Sequence, residues 1–151
     1  FRGKRVVVTG AASGIGHRVT ELLLEAGAHV IALDRSAVDL SVERFIRVDF
    51  TDPESIDAAV AEIDGEIDVL LNIAGVPGTA DPEVTMRVNV LGLRMLTELL
   101  IHKINHGGSV TNVASTGFVT TPWMASVPTT SPRSASWCSP NSTAGTCAST
   151  A

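Results

Sequence analysis

The chain contains no tyrosine, only two cysteines, and aromatic residues make up 4% of its 151 positions. Each scarcity removes a class of protein. Cys138 and Cys147 are too few for a disulfide framework or, by themselves, for a structural zinc site. Eleven basic residues against sixteen acidic ones leave a formal net charge of −5, so there is no basic footprint for nucleic acid or anionic lipid. No apolar run approaches the ~20 residues that a bilayer-spanning helix needs. Arg2, Lys4 and Arg5 lead straight into a short β-like run rather than the apolar core of a secretory signal, and a cytoplasmic protein is expected. Without tyrosine, no phenol serves anywhere in the chain as an acid–base group.

What is present is 44% hydrophobic residues in a chain long enough to bury about two thirds of its unfolded surface. The charges are unevenly spread. All sixteen acids lie at or before Glu98, and after Phe118 the one charged side chain is Arg133. From Val119 the chain is rich in Ser, Thr, Pro and Ala, and Pro122, Pro128, Pro132 and Pro140 interrupt any helical or strand period. The chain therefore divides near residue 118 into a patterned part, 1–118, and an irregular part, 119–151. The second part reads either as out-of-frame or truncated sequence or as a disordered Ser/Thr-rich tail.

The first part alternates strand and helix patterns. Arg5 to Thr9 is a β-branched run, and after a glycine turn Ile15, Val19, Leu22, Leu23 and Ala26 share one helical face. His29 to Leu33 and Phe45 to Val48 read as buried strands, and Thr51-Asp52-Pro53-Glu54 has capping-box spacing for a helix to about Ile63. Ile67 to Ile73 is the next strand. Asp81-Pro82-Glu83 opens a helix expected to run to about His106, before Gly107-Gly108, and Ser109 to Ala114 is a fifth strand. Strands separated by helices with right-handed crossovers give an α/β fold, a Rossmann-type doubly wound parallel sheet, here truncated after the fifth strand. Such sheets bind ligands outside the carboxyl ends of their strands, where the strand order reverses.

At the end of the first strand stands Thr9-Gly10-Ala11-Ala12-Ser13-Gly14-Ile15-Gly16. A pyrophosphate needs backbone N–H groups at a helix N-terminus with no Cβ in the way, which glycines between a strand and a helix provide. A tight βα turn with packing glycines is the bland alternative. Asp34 ends the second strand, where a carboxylate accepts hydrogen bonds from the adenosine ribose hydroxyls and repels a 2′-phosphate, favouring NAD over NADP. Arg35 beside it could hold that phosphate, but Ser13 leaves the glycine turn without a basic residue.

On these motifs residues 1 to about 118 resemble the N-terminal, cofactor-binding part of the short-chain dehydrogenase/reductase family. The glycine motif with Thr9, Asp34, Asp49 after the third strand, Asn72-Ile73-Ala74-Gly75 after the fourth, Asn89 in the long helix and Ser115 after the fifth fall in the family's order. The resemblance implies that Asp49 sits against adenine and that the adjacent Phe50 belongs to the cofactor site. It implies that Asn72, Ala74 and Gly75 line the cofactor cleft and that Asn89 holds a water in a proton relay. Ser115 would hydrogen-bond the substrate oxygen. Ile73 stands where the family has a second Asn, and Ile73 to Thr79 is similar to the branch with 3α-hydroxysteroid and aryl-alcohol dehydrogenases. The implied substrate is a small alcohol or ketone, and the full-length form is expected to be a homo-oligomer.

The family's general base is a tyrosine in Tyr-x-x-x-Lys, where the lysine lowers a phenol pKa of about 10 toward working pH. The usual spacing after Ser115 reaches Pro128 and Pro132, and even the branch with a longer insertion requires a tyrosine that this chain lacks. The only lysines, Lys4 and Lys103, lie upstream. Losing such a group typically costs ~10²–10⁴ in rate, so little or no turnover is expected of this chain. A non-catalytic NAD-binding module and a functionless remnant are the alternatives. His102 and His106, spaced i, i+4 on the expected helix, lack a third ligand, and no metal site is expected. Asn141-Ser142-Thr143 matches a glycosylation acceptor by chance.

Overall fold

The computed structural model describes residues 1–78 and 80–114. Five strands form one sheet: β1 (Arg5–Thr9), β2 (His29–Asp34), β3 (Arg44–Arg47), β4 (Ile67–Asn72) and β5 (Ile104–Asn112). All pairings are parallel and the order is β3-β2-β1-β4-β5. The chain steps outward from β1 to β3, then returns to lay β4 on the other side of β1. That reversal is the switch point of a doubly wound, Rossmann-like sheet, and it opens a crevice beyond the carboxyl ends of β1 and β4.

The period of two along each strand feeds two cores. Val7 joins Ile31, Leu33, Ile46 and Leu70 on one face, while Val6 and Val8 join Val30 and Ala32 on the other. The first face is covered by α2 (Pro53–Ala61) and α4 (Leu93–Leu100), through Ile56, Ala59, Leu93, Leu96 and Leu100. The second is covered by α1 (Gly14–Glu25), through Leu23. Strands buried on both faces need near-continuous apolar sequence, which Val6-Val7-Val8 and Val30-Ile31-Ala32-Leu33 supply.

Several local readings are corrected. The cap of α2 is Asp52, whose carboxylate accepts from Glu54 N at 3.0 Å, with Pro53 in the first turn; Thr51 turns back to Asp49 instead. The helix expected from Asp81 to His106 is four pieces. Asp81 caps α3 (Pro82–Met86), a π-turn follows over Arg87–Gly92, then α4, then a 3₁₀ turn over Ile101–Lys103.

β5 starts at Ile104 rather than Ser109, because Ile104 pairs with Ile67 and the Lys103 ammonium turns to the carbonyls of Val60 and Ile63, at 3.2 and 2.7 Å, at the end of α2. Gly107 and Gly108 are thus not a helix stop but part of a β-bulge. Gly107 has φ +84°, and a Cβ at Gly108 would lie 2.6 Å from the Asp68 carbonyl oxygen. His102 and His106 consequently sit on a 3₁₀ turn and a strand, not on one helix face.

Candidate functional site

The crevice at the switch point is a cleft of about 430 Å³, within the range of small-molecule sites. One wall is the glycine turn. Gly10, at φ +71°, donates its N–H to the Leu33 carbonyl at 2.9 Å, and a Cβ there would lie 2.8 Å from Ala74 Cα. Only glycine lets the turn press against the end of β4. A Cβ at Gly16 would overlap the Gly10 carbonyl oxygen, so this glycine is what seats α1 on the turn. Gly14, at φ +54°, differs: nothing lies within 4 Å of its Cβ position. Together with Ser13 and Ile15 it leaves open space at the start of α1, where the Ser13 side chain makes no capping bond.

The next wall comes from the ends of β2 and β3. Asp34 Oδ2 accepts from Ala12 N at 3.0 Å and Oδ1 from Ser36 N at 2.8 Å, so one carboxylate ties the glycine turn to the loop after β2. Arg35 lines the cleft beside it. Asp49 Oδ1 accepts from the Thr51 hydroxyl at 2.7 Å and from Thr51 N at 2.8 Å, while its own N–H donates to Ser55 Oγ at 2.9 Å. The Thr51 hydroxyl, more than any other group, holds the Asp49 carboxyl below the ordinary range; the Thr51 N–H and the Arg35 charge add to this and partial burial opposes it. Asp49 Oδ2 takes no hydrogen bond from the described residues. Phe50, nearly buried, completes this wall.

The floor is the turn after β4. Thr9 Oγ1, fully buried, accepts from Ile73 N at 2.9 Å and Ala74 N at 3.0 Å, clamping that turn to β1. Asn72 lies beneath, its Nδ2 donating to Asn112 Oδ1 at 2.8 Å and Thr97 Oγ1 at 2.9 Å, which joins β4 to β5 and α4. Ala74 and Gly75 line the cleft. Asn89, on the π-turn and exposed, accepts from Val76 N at 2.8 Å and donates to Val76 O at 2.9 Å. Its amide therefore holds the floor loop.

The sequence-selected residues thus fall into two tiers. Gly10, Ser13, Gly14, Ile15, Gly16, Asp34, Arg35, Asp49, Phe50, Ala74 and Gly75 share the cleft surface, and Thr9, Asn72 and Asn89 support it from behind. Ser115 and Thr79 lie outside the described residues, as do Pro128, Pro132 and all of 119–151. Sequence reading missed Ser36, Thr51, Val76, Val84 and Val88. The i, i+4 pair Val84 and Val88 carried a signal, but apolar periodicity does not distinguish a core face from a cleft wall.

Residues 4–128 match the protein family described as short chain dehydrogenase. The chain is similar to a coniferyl-alcohol dehydrogenase of a Pseudomonas species, with 47% identity over 112 residues, covering 74% of this chain and 44% of that protein. It is 35% identical over 133 residues to an NAD-dependent glycerol dehydrogenase of Listeria innocua, covering 74% of this chain and 52% of the relative. Among solved structures, an oxidoreductase of the short chain dehydrogenase/reductase family from Brucella ovis, in complex with a partially ordered NAD, superposes with a TM-score of 0.66. The two are 27% identical over 79% of this chain and 71% of that one. The chain spans about half the length of the curated relatives it matches.

Proposed function

From the premise that the chain belongs to the short-chain dehydrogenase family, we propose that it is the NAD-binding part of an oxidoreductase acting on a small alcohol or the corresponding carbonyl. By itself it holds the cofactor and turns substrate over little or not at all. The observation that carries the reading is Asp34, whose carboxylate joins the glycine turn to the mouth of the cleft. Its remaining lone pairs suit two ribose hydroxyls and its charge repels a 2′-phosphate. Arg35 lines the cleft beside it, and Ser13 leaves the glycine turn without a second basic residue to join Arg35 in holding a 2′-phosphate.

The cleft fits a dinucleotide on its own geometry. Gly14 leaves space at the uncapped start of α1 that any side chain would narrow, and the backbone N–H groups there suit a pyrophosphate. Asp49 Oδ2 takes no hydrogen bond from the described residues, and with its carboxyl held below the ordinary range it is an acceptor suited to an adenine amino group. When bound, NAD supplies the hydride acceptor for alcohol oxidation. Ser115 would hold the substrate oxygen, and Asn89 keeps the floor loop in place.

The proton is where this chain falls short. It has no tyrosine, and both lysines serve the opposite end of the sheet: Lys4 pairs with Asp68 at 2.9 Å before β1, and Lys103 caps α2 before β5. The similarity to a coniferyl-alcohol dehydrogenase favours an aryl alcohol over a hydroxysteroid. A cytoplasmic location and homo-oligomerisation of a full-length form belong to the same reading. Met86, Val90 and Leu91, each about half exposed, supply an apolar face for the latter.

Fluorescence titration of the chain with NADH and with NADPH tests the reading. NADH is expected to bind at least about tenfold more tightly, and Asp34→Asn to remove most of that preference, worth roughly 1.4 kcal/mol. A chain that binds neither dinucleotide sinks the proposal; tighter NADPH binding reverses the cofactor assignment.

A further inference from the structure

We infer that Gly92 is a positioning residue for adenine recognition: its missing side chain sets where the Asp49–Thr51 loop stands in the cleft. The inference rests on the cofactor reading above and extends it to a residue outside the cleft surface. Gly92 closes the π-turn and is buried. A Cβ there would lie 2.9 Å from Phe50 Cβ, closer still to the Phe50 carbonyl oxygen, and 3.0 Å from the Arg87 carbonyl oxygen. Backbone oxygens cannot swing aside as the end of a flexible side chain can. A residue larger than glycine must displace either the helix or the loop.

The helix is the less able to move. Leu93, Leu96 and Leu100 bury its face in the main core, and the Thr97 hydroxyl accepts from Asn72 on β4. Its π-turn is also engaged on the far side, where Asn89 grips both peptide groups of Val76. The loop that must yield is internally stiff. Asp49 Oδ1 holds both polar hydrogens of Thr51, and Asp49 N is held by Ser55, so Asp49, Phe50 and Thr51 shift together. Such a shift carries the Asp49 Oδ2 acceptor out of place. Alanine is the better helix former by about 1 kcal/mol, so local propensity does not explain glycine here. The close approach does. One helical joint therefore sets both lips of the cleft, through Gly92 on the adenine side and Asn89 on the floor side.

The experiment compares wild-type chain and Gly92→Ala with two probes, NADH and its 6-oxo analogue, reduced nicotinamide hypoxanthine dinucleotide. An ionised carboxylate accepts from a 6-amino group and repels a 6-oxo group, so the wild type is expected to prefer NADH. Gly92→Ala is expected to weaken NADH about tenfold and the analogue much less, bringing the ratio toward one. A general loss of stability would not change that ratio. A folded Gly92→Ala that keeps the wild-type ratio overturns the inference, as does a wild type that binds both probes equally. A wild type that binds neither overturns the cofactor reading itself, and this inference with it. If Gly92→Ala does not fold, Phe50→Gly/Gly92→Ala removes the Phe50 Cβ and frees its peptide to turn. Measured beside Phe50→Gly alone, that pair is expected to fold with the adenine preference lost while the single variant keeps it, and equal ratios in the two would count against the inference.

Discussion

On one side of β1 the sheet continues into β2, whose Val30, Ile31, Ala32 and Leu33 are fully buried and paired with β1 in unbroken register. On the other side it continues through β4 to β5, a strand mostly open to solvent whose pairing slips at a bulge between Ile67 and Val69. The helices repeat the contrast. The stretch from the end of α3 through the π-turn leaves Met86, Val90 and Leu91 half exposed, while the β2 flank is closed over by α1. The glycine turn, Asp34 and Asp49, which suit the nucleotide end of a cofactor, all come from the consolidated flank and the first fifty residues. The cleft wall made by Val84 and Val88, by contrast, comes from the looser flank. A nucleotide pocket can be completed by a short run of sequence, whereas a reactive centre at a switch point draws on strands from both directions.

The sharpest way to break this comparison is to truncate one inward-facing side chain on each flank, Leu33, which is fully buried, and Val110, which is partly buried. Leu33→Ala on β2 is expected to cost about 2–5 kcal/mol in denaturant unfolding, and Val110→Ala on β5 about 1 kcal/mol or less. Equal losses would mean that the flanks are equally consolidated. A smaller effect is expected where β5 is tied back to the centre. Asp68 accepts from Arg5 N at 2.9 Å, Lys4 Nζ at 2.9 Å and Asn105 Nδ2 at 3.3 Å, and chiefly the Arg5 N–H holds its carboxyl below the ordinary range. A carboxyl lowered in the folded state stabilises above its unfolded pKa of about 3.9, and that contribution is lost as pH falls through the lowered value. Asp68→Asn should therefore unfold earlier than wild type at pH 7, with the gap closing below about pH 4. A gap independent of pH would show that packing, not charge, holds this tie. The smallest effect on stability is expected at Leu91→Ser, within about 0.5 kcal/mol of wild type. That variant should sediment with less self-association, and unchanged association would place the adhesive surface elsewhere.

The consolidated flank was also the legible one. The Val6-Val7-Val8 run, the glycine turn and Asp34 are contiguous signals, and local chemistry suffices to place them on a strand, a βα turn and a strand end. The looser flank was misread for physical reasons. The π-turn lengthens one step of the apolar recurrence, from Val88 to Leu93, and the apolar Val90 and Leu91 between them hide that slip in the sequence, so one helix was expected across what are α3, the π-turn and α4. Two consecutive glycines suit a helix end and a β-bulge alike, and only the pairing with β4 decides between them. Lys103 ends its helix by reaching α2, a contact some forty residues away in sequence. Thr51 and Ser36 joined the cleft through Asx turns, in which Asp49 and Asp34 accept from the N–H two residues on; any loop aspartate allows that turn, so the residue pair alone does not select it.

Far from the cleft, the connection from α2 to β4 is held by side chains from three other places. Arg5 reaches the carbonyls of Asp64 and Glu66, Arg44 that of Glu62 at 2.6 Å, and Lys103 those of Val60 and Ile63. A backbone cut in this connection, between Asp64 and Glu66, would leave Arg5 of the first piece gripping Glu66 of the second, and Lys103 of the second gripping Val60 and Ile63 of the first. The connection is thus closed by residues that precede it and by residues that follow it in the chain, so the two halves of the sheet grip each other across it.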